Sequence, residues 1–74
     1  MKFFILDQTG HSTLTFDDAN VVDLEQALTE FNDLVKERKF TAATRRKGET
    51  EYTKVKTAQE LQDETLFVPA LQGG

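Results

Sequence analysis

The stretch Thr65-Leu66-Phe67-Val68-Pro69-Ala70-Leu71-Gln72-Gly73-Gly74 decides the fold. Leu66, Phe67 and Val68 make a short aromatic and β-branched run, which predicts a strand. Pro69 has no backbone N–H, so the ladder should fade there and any further pairing belongs to an edge. Two glycines follow, and without a Cβ they can thread a narrow channel and present a carboxylate free of steric bulk. Two readings stand side by side: a working acyl group, or a frayed polar end.

Working outward, the chain has 74 residues, enough for one domain with a small core. Hydrophobic residues make up 38% and charged residues 30%, a balance typical of soluble globular domains. A large internal catalytic cleft is hard to build at this size. Cys is absent, which excludes disulfides, thiolate metal sites and a thiol nucleophile, and is consistent with a reducing compartment. A net charge of −4 argues against general nucleic-acid binding, which needs phosphate neutralisation. The apolar run Phe3-Phe4-Ile5-Leu6 stops at Asp7, too short for a signal peptide or a membrane span. The expectation is a cytoplasmic monomer with no membrane partner and no nucleic-acid partner.

Phe3–Leu6 predicts a strand inside a sheet. Asp7-Gln8-Thr9-Gly10 carries turn chemistry, and His11–Phe16 alternates with Leu14 and Phe16 on one face, completing an N-terminal hairpin. His11, the single histidine, is expected to be a solvated residue beside the turn. Asn20 or Asp18 can cap a helix over residues 21–39. Leu24, Ala27, Leu28, Phe31, Leu34 and Val35 fall on one stripe, which should pack across a sheet face. Acidic residues at the helix start and Lys36, Arg38 and Lys39 at its end suit the macrodipole.

A weaker strand over Phe40–Thr44, a loop over Arg45–Glu49 and an edge strand over Thr50–Lys56 follow, with Lys54 and Lys56 discouraging stray pairing. Arg45, Arg46 and Lys47, with the helix-end cations nearby in sequence, are a candidate basic patch; a solvated helix end and loop is the commoner outcome. Thr57-Ala58-Gln59-Glu60 fits a capping box, and Leu61 can pin that turn to the core. No catalytic residue, metal ligand set or cofactor site is expected: there is no Ser/His/Asp spacing and no phosphate loop.

The predicted order is ββαββ with a short helical turn before the last strand: an α+β roll with one long helix on a mixed four- or five-stranded sheet. Its two most apolar runs, Phe3–Leu6 and Leu66–Val68, should be parallel central neighbours. This order resembles the β-grasp fold of the ubiquitin-like superfamily. The tail Leu66–Gly74 is similar to that of the molybdopterin-synthase small subunit and related sulfur carriers, which commonly close with an apolar strand, proline, an apolar residue and Gly-Gly. Thr57 to Thr65 resembles the turn and strand before ubiquitin's tail. Two departures stand out: Ala70 follows Pro69 where sulfur carriers often have a second proline, and ubiquitin's basic tail is absent.

The resemblance implies a domain over residues 1–68 and a tail over 69–74. In it, an E1-like adenylating enzyme would activate the Gly74 carboxylate with ATP for sulfur transfer or for conjugation to an amine. Gly73 and Gly74 would be the acyl-donor tail, with Pro69 and Leu71 positioning it. Ubiquitin-like domains also occur in some phage tail-assembly proteins, so a non-covalent interaction or assembly module is the alternative. If Phe3 and Ile5 face the helix with Leu66 and Val68, then Phe4, Leu6 and Phe67 form a partner surface on the opposite face. The opposite register exchanges the two sets, and both are apolar.

Overall fold

The computed structural model describes residues 1–69. In chain order the elements are strands β1 (Lys2–Asp7) and β2 (Gly10–Thr15), helix α1 (Val21–Asn32) continued by a π-helical turn (Asp33–Glu37), strands β3 (Phe40–Arg45) and β4 (Thr53–Val55), a 3-10 turn (Ala58–Glu60), and strand β5 (Glu64–Pro69). The strands form one mixed sheet in the order β2-β1-β5-β3-β4. β1 and β5 run parallel at its centre, while the other three pairs are antiparallel. The helix packs on one face of this sheet, so the protein is a small α+β domain. No helix among the described residues is long and apolar enough to cross a membrane.

Local chemistry explains most boundaries. The Asp7 carboxylate accepts from the Thr9 backbone N–H (2.9 Å) and hydroxyl (2.7 Å), closing the first turn before Gly10 at φ +132°. The Asn20 side chain caps α1 by accepting from Val22 N (2.9 Å) and Asp23 N (3.2 Å). Glu60 reaches back to the backbone N–H of Thr57 (3.3 Å) and of Lys56 (3.3 Å), the acidic half of the expected capping box.

The helix ends earlier than its sequence pattern suggests. It widens into the π turn after Asn32, and Lys39 reverses the chain at φ 61°, a left-handed position usually held by glycine. Leu28, expected on the buried stripe, is 44% exposed. At 3.6 residues per turn it lies about 100° from Ala27, on the rim of a stripe centred on Ala27, Phe31 and Leu34. The edge strand β4 is also shorter than Thr50–Lys56, because residues 46–52 form the connection.

The core is organised by phenylalanine. Phe67 is fully buried and sits 4.8 Å from Phe3 and 5.9 Å from Phe31, centroid to centroid, and Phe3 meets Phe16 edge-on at 5.0 Å. Such tilted and edge-on pairs contribute about 0.5–1.5 kcal/mol each beyond the area they bury. Ile5, Ala27, Leu34, Ala42 and Val55 complete the layer, and Leu61 packs against it.

Two threonines occupy the same buried side as these aromatics. Thr44 Oγ1 lies 3.0 Å from the Glu64 carbonyl, 3.0 Å from Thr65 Oγ1 and 2.9 Å from Gln62 N. With one hydrogen, the Thr44 hydroxyl donates to the carbonyl and therefore accepts from the Thr65 hydroxyl and the Gln62 N–H. The arrangement leaves no buried side-chain polar atom without a partner among the described residues.

Candidate binding face

The register of the three central strands defines the face away from the helix. Phe4 pairs with Leu66 and Ile5 with Phe67, while Ala43 pairs with Leu66 and Ala42 with Phe67. Since side chains alternate along a strand, Phe4, Leu6, Ala43, Leu66 and Val68 share the open face. Leu6 is 39% exposed, and Phe4, Leu66 and Val68 are half-buried. Thr41 from β3 and Thr13 from β2 flank this strip, the latter opposite Phe4 in the register. His11, exposed beside the first turn, stands opposite Leu6.

This placement corrects the expected set Phe4, Leu6 and Phe67. The first two lie on the open face, but Phe67 is wedged between Phe3 and Phe31 on the helix side. Leu66 and Val68 take the outward positions instead. The physical reason is the Thr44–Thr65 hydroxyl pair: it lets β5 bury a polar residue and so frees the large Phe67 ring for the core.

Pro69 is the last residue of β5. Its partner is Phe40 of β3, while the pairing with β1 ends at Ile5–Phe67. The ladder thus narrows to one side at the proline, as its missing N–H requires. The β5 exit is bordered by the β1–β2 turn and by the Arg38–Phe40 reversal, where the Arg38 guanidinium lies 4.9 Å over the Phe40 ring and 3.9 Å from Asp7. Hydrogen bonds from the Thr9 hydroxyl and backbone N–H are the main causes that hold the Asp7 carboxyl below its ordinary value, and Arg38 adds to them. Leu71, Gly73 and Gly74, expected to form the working tail, lie outside the described residues.

The candidate basic patch takes on mixed sign. Arg45 Nε donates to Glu64 Oε1 at 2.8 Å and its guanidinium stacks 4.6 Å from the Tyr52 centroid. The Arg46 N–H donates to the Glu49 carboxylate and the Lys47 N–H to the Asp63 carboxylate. These last two bonds come from the backbone, so acids border the segment throughout while Arg45 is the one of its three cations with an ion pair among the described residues. The other cluster, Lys36, Arg38 and Lys39, is separated from Arg45 by the length of β3, about 17–20 Å for a strand of this size. Proximity in sequence did not become proximity in space.

Comparisons with protein-family models, with curated proteins and with solved structures each find no match to this chain.

Proposed function

We propose that this chain is a β-grasp, ubiquitin-like carrier or modifier, recognised through its open sheet face and acting through the Gly74 carboxylate. The observation that carries this reading is the position of β5, a central strand parallel to β1. That one strand supplies Leu66 and Val68 to the open face and leads straight into residues 70–74. Recognition surface and candidate acyl donor are thereby consecutive in the chain.

The chemistry belongs to an ATP-dependent adenylating partner. The Gly74 carboxylate oxygen would attack the α-phosphate of ATP, forming an acyl adenylate and releasing pyrophosphate. A sulfur nucleophile would then displace AMP, giving a thiocarboxylate or a thioester that a lysine amine can open. The partner supplies the donors that stabilise the tetrahedral oxyanion, and this chain supplies acyl group and docking face. Incubation with an adenylating enzyme, ATP and labelled pyrophosphate should show label exchange into ATP and a mass change on the chain. Deleting Gly74 should abolish both with the circular dichroism spectrum unchanged. Exchange that persists without Gly74 overturns the reading.

A second reading, a non-covalent interaction or assembly module, for instance in a phage particle, is favoured by the open apolar strip itself, which is complete before residue 70. Under it, partner capture survives loss of Gly73 and Gly74 and fails in Phe4→Asp. Under the first reading, both changes abolish transfer.

A further inference from the structure

The outer edge of β2 and the groove behind it present a second surface, separate from the open face. Met1 and Phe16 exchange both backbone hydrogen bonds, at 3.0 and 2.8 Å. Because bonded and non-bonded pairs alternate in an antiparallel ladder, Phe3–Leu14, Ile5–Ser12 and Asp7–Gly10 are bonded pairs as well. The N–H and C=O groups of His11, Thr13 and Thr15 therefore point away from β1. β2 is the outermost strand, so among the described residues these groups line a free edge.

The two edges of the sheet are not equivalent. β4 is three residues long and carries Lys54, the usual protection against added strands. β2 is six residues long, pairs with β1 without a bulge, and has neither lysine nor proline. Behind it lies a groove of about 710 Å³ between β2 and α1. Leu14, Phe16 and Val22 give it an apolar floor, and Glu25 and Glu30 stand along its helix side. Val22 is 61% exposed, and neither glutamate has a cationic partner among the described residues.

Spacing and charge together select the occupant. Along the helix axis Glu25 and Glu30 lie about 4.5 and 12 Å beyond Val22. Groove-facing side chains of an added strand would recur about every 6.7 Å, so one aliphatic residue followed by cations two and four positions on matches the order Val22, Glu25, Glu30. A second copy of this chain fits poorly, because each copy carries a charge of −4 and would bring the same carboxylates to the contact. We propose that the β2 edge binds an extended basic segment of a partner protein, which adds a strand to the sheet and directs an aliphatic side chain at Leu14 and Val22 and cationic side chains at Glu25 and Glu30.

The proposal stands independently of any chemistry at Gly74, and amide NMR on the full chain tests it. The probes are the capped peptide Thr-Val-Thr-Lys-Thr-Lys-Thr and its reverse-order counterpart, which cover both strand directions. One of them should shift the amides of His11, Thr13 and Thr15 and slow their hydrogen exchange. Affinity should fall at least tenfold when glutamate replaces the peptide lysines, and equally in Glu25→Lys with Glu30→Lys, neither of which belongs to the buried core. Thr13→Pro removes an N–H that bonds nothing in β1 and should abolish binding with the fold retained by circular dichroism. Absence of shifts at millimolar peptide, shifts centred on Phe4 and Leu66, equal affinity for the acidic peptide, or β2 shifts that grow with protein concentration alone would each overturn it.

Discussion

On the helix side of the sheet Phe3 and Phe67 are sealed from water beneath Phe31 of α1, while one residue along the same strands Phe4, Leu66 and Val68 remain half in solvent. Both sets are apolar and the backbone holding them is shared. The difference is what lies opposite: α1 covers one face, and nothing among the described residues covers the other. Burial converts apolar area into stability at roughly 25 cal/mol per Å², so the covered face sustains the fold. The open face keeps that free energy in reserve for whatever docks there.

The strongest way to break this comparison is to truncate matching rings. Phe67→Ala removes the ring that touches both Phe3 and Phe31 and should cost about 3–5 kcal/mol. A domain of this length has roughly 4–11 kcal/mol in total, so urea denaturation should find the variant largely unfolded or close to it. Phe4→Ala should cost less than about 1.5 kcal/mol, about half the value of a fully buried side chain. Equal losses at the two sites would mean that the open face is as much a part of the core as the covered one.

A smaller effect tests what sets the faces apart. Thr44→Val keeps the shape but leaves the Gln62 N–H without its acceptor and the Thr65 hydroxyl without its partner. The expected loss is about 1–3 kcal/mol, read from the shift in urea midpoint. Thr44→Ser, which keeps the oxygen, should recover most of it. If valine is neutral, the hydroxyl pair does not hold β5 in register.

Those threonines also mark the limit of what was legible. The Asp7–Gly10 turn, the Thr57–Glu60 turn and a helix cap at Asn20 or Asp18 follow from local chemistry, because propensity and backbone need coincide there. The parallel central pair of β1 and β5 follows from element order and the two most apolar runs. The facing of β5 does not. An isolated strand with apolar residues at 66, 67 and 68 favours burying the two aliphatic positions and turning Thr65 outward. Only the hydroxyl of Thr44, 21 positions away in sequence, makes the buried Thr65 acceptable. Leu28 failed for a different reason: about 100° round the helix from Ala27, it lies on the rim of the buried stripe. For the site, Phe4 and Leu6 were legible and Leu66 and Val68 were not. The open edge of β2 could have been noticed from its lack of lysine, set beside Lys54 of β4.

Below these in size lies the chain reversal that delivers β3 to the sheet. Lys39 adopts φ 61°, a left-handed conformation that strains a side chain bearing a Cβ. Lys39→Gly should therefore gain about 0.5–1 kcal/mol, the relief being partly offset by glycine's greater freedom when unfolded. A higher melting temperature with unchanged amide shifts on both faces is the expected result. Shifts spreading to Phe4 or Phe67 would show that the reversal sets how the sheet meets the helix.

The smallest effect comes from acid, and it separates the ends of the sheet from both faces. Asp7 and Glu60 are held below their ordinary values of 3.8 and 4.5, Asp7 chiefly by the Thr9 hydroxyl and Glu60 chiefly by the Lys56 N–H. A carboxyl lowered in the folded state contributes stability that is complete above its ordinary value. That contribution is lost as pH falls through the lowered one. Stability should thus decline on acidification below about pH 4.5, and the decline should be shallower in Asp7→Asn with Glu60→Gln. Amide exchange should locate the loss at Thr9 and Thr57, whose N–H groups those carboxylates accept. Phe3 and Phe67 should stay protected over the same range, because aromatic packing has no proton to gain. If acid instead exposes both faces together, the turns and the core form one cooperative unit, and the contrast between covered and open faces disappears before the charges do.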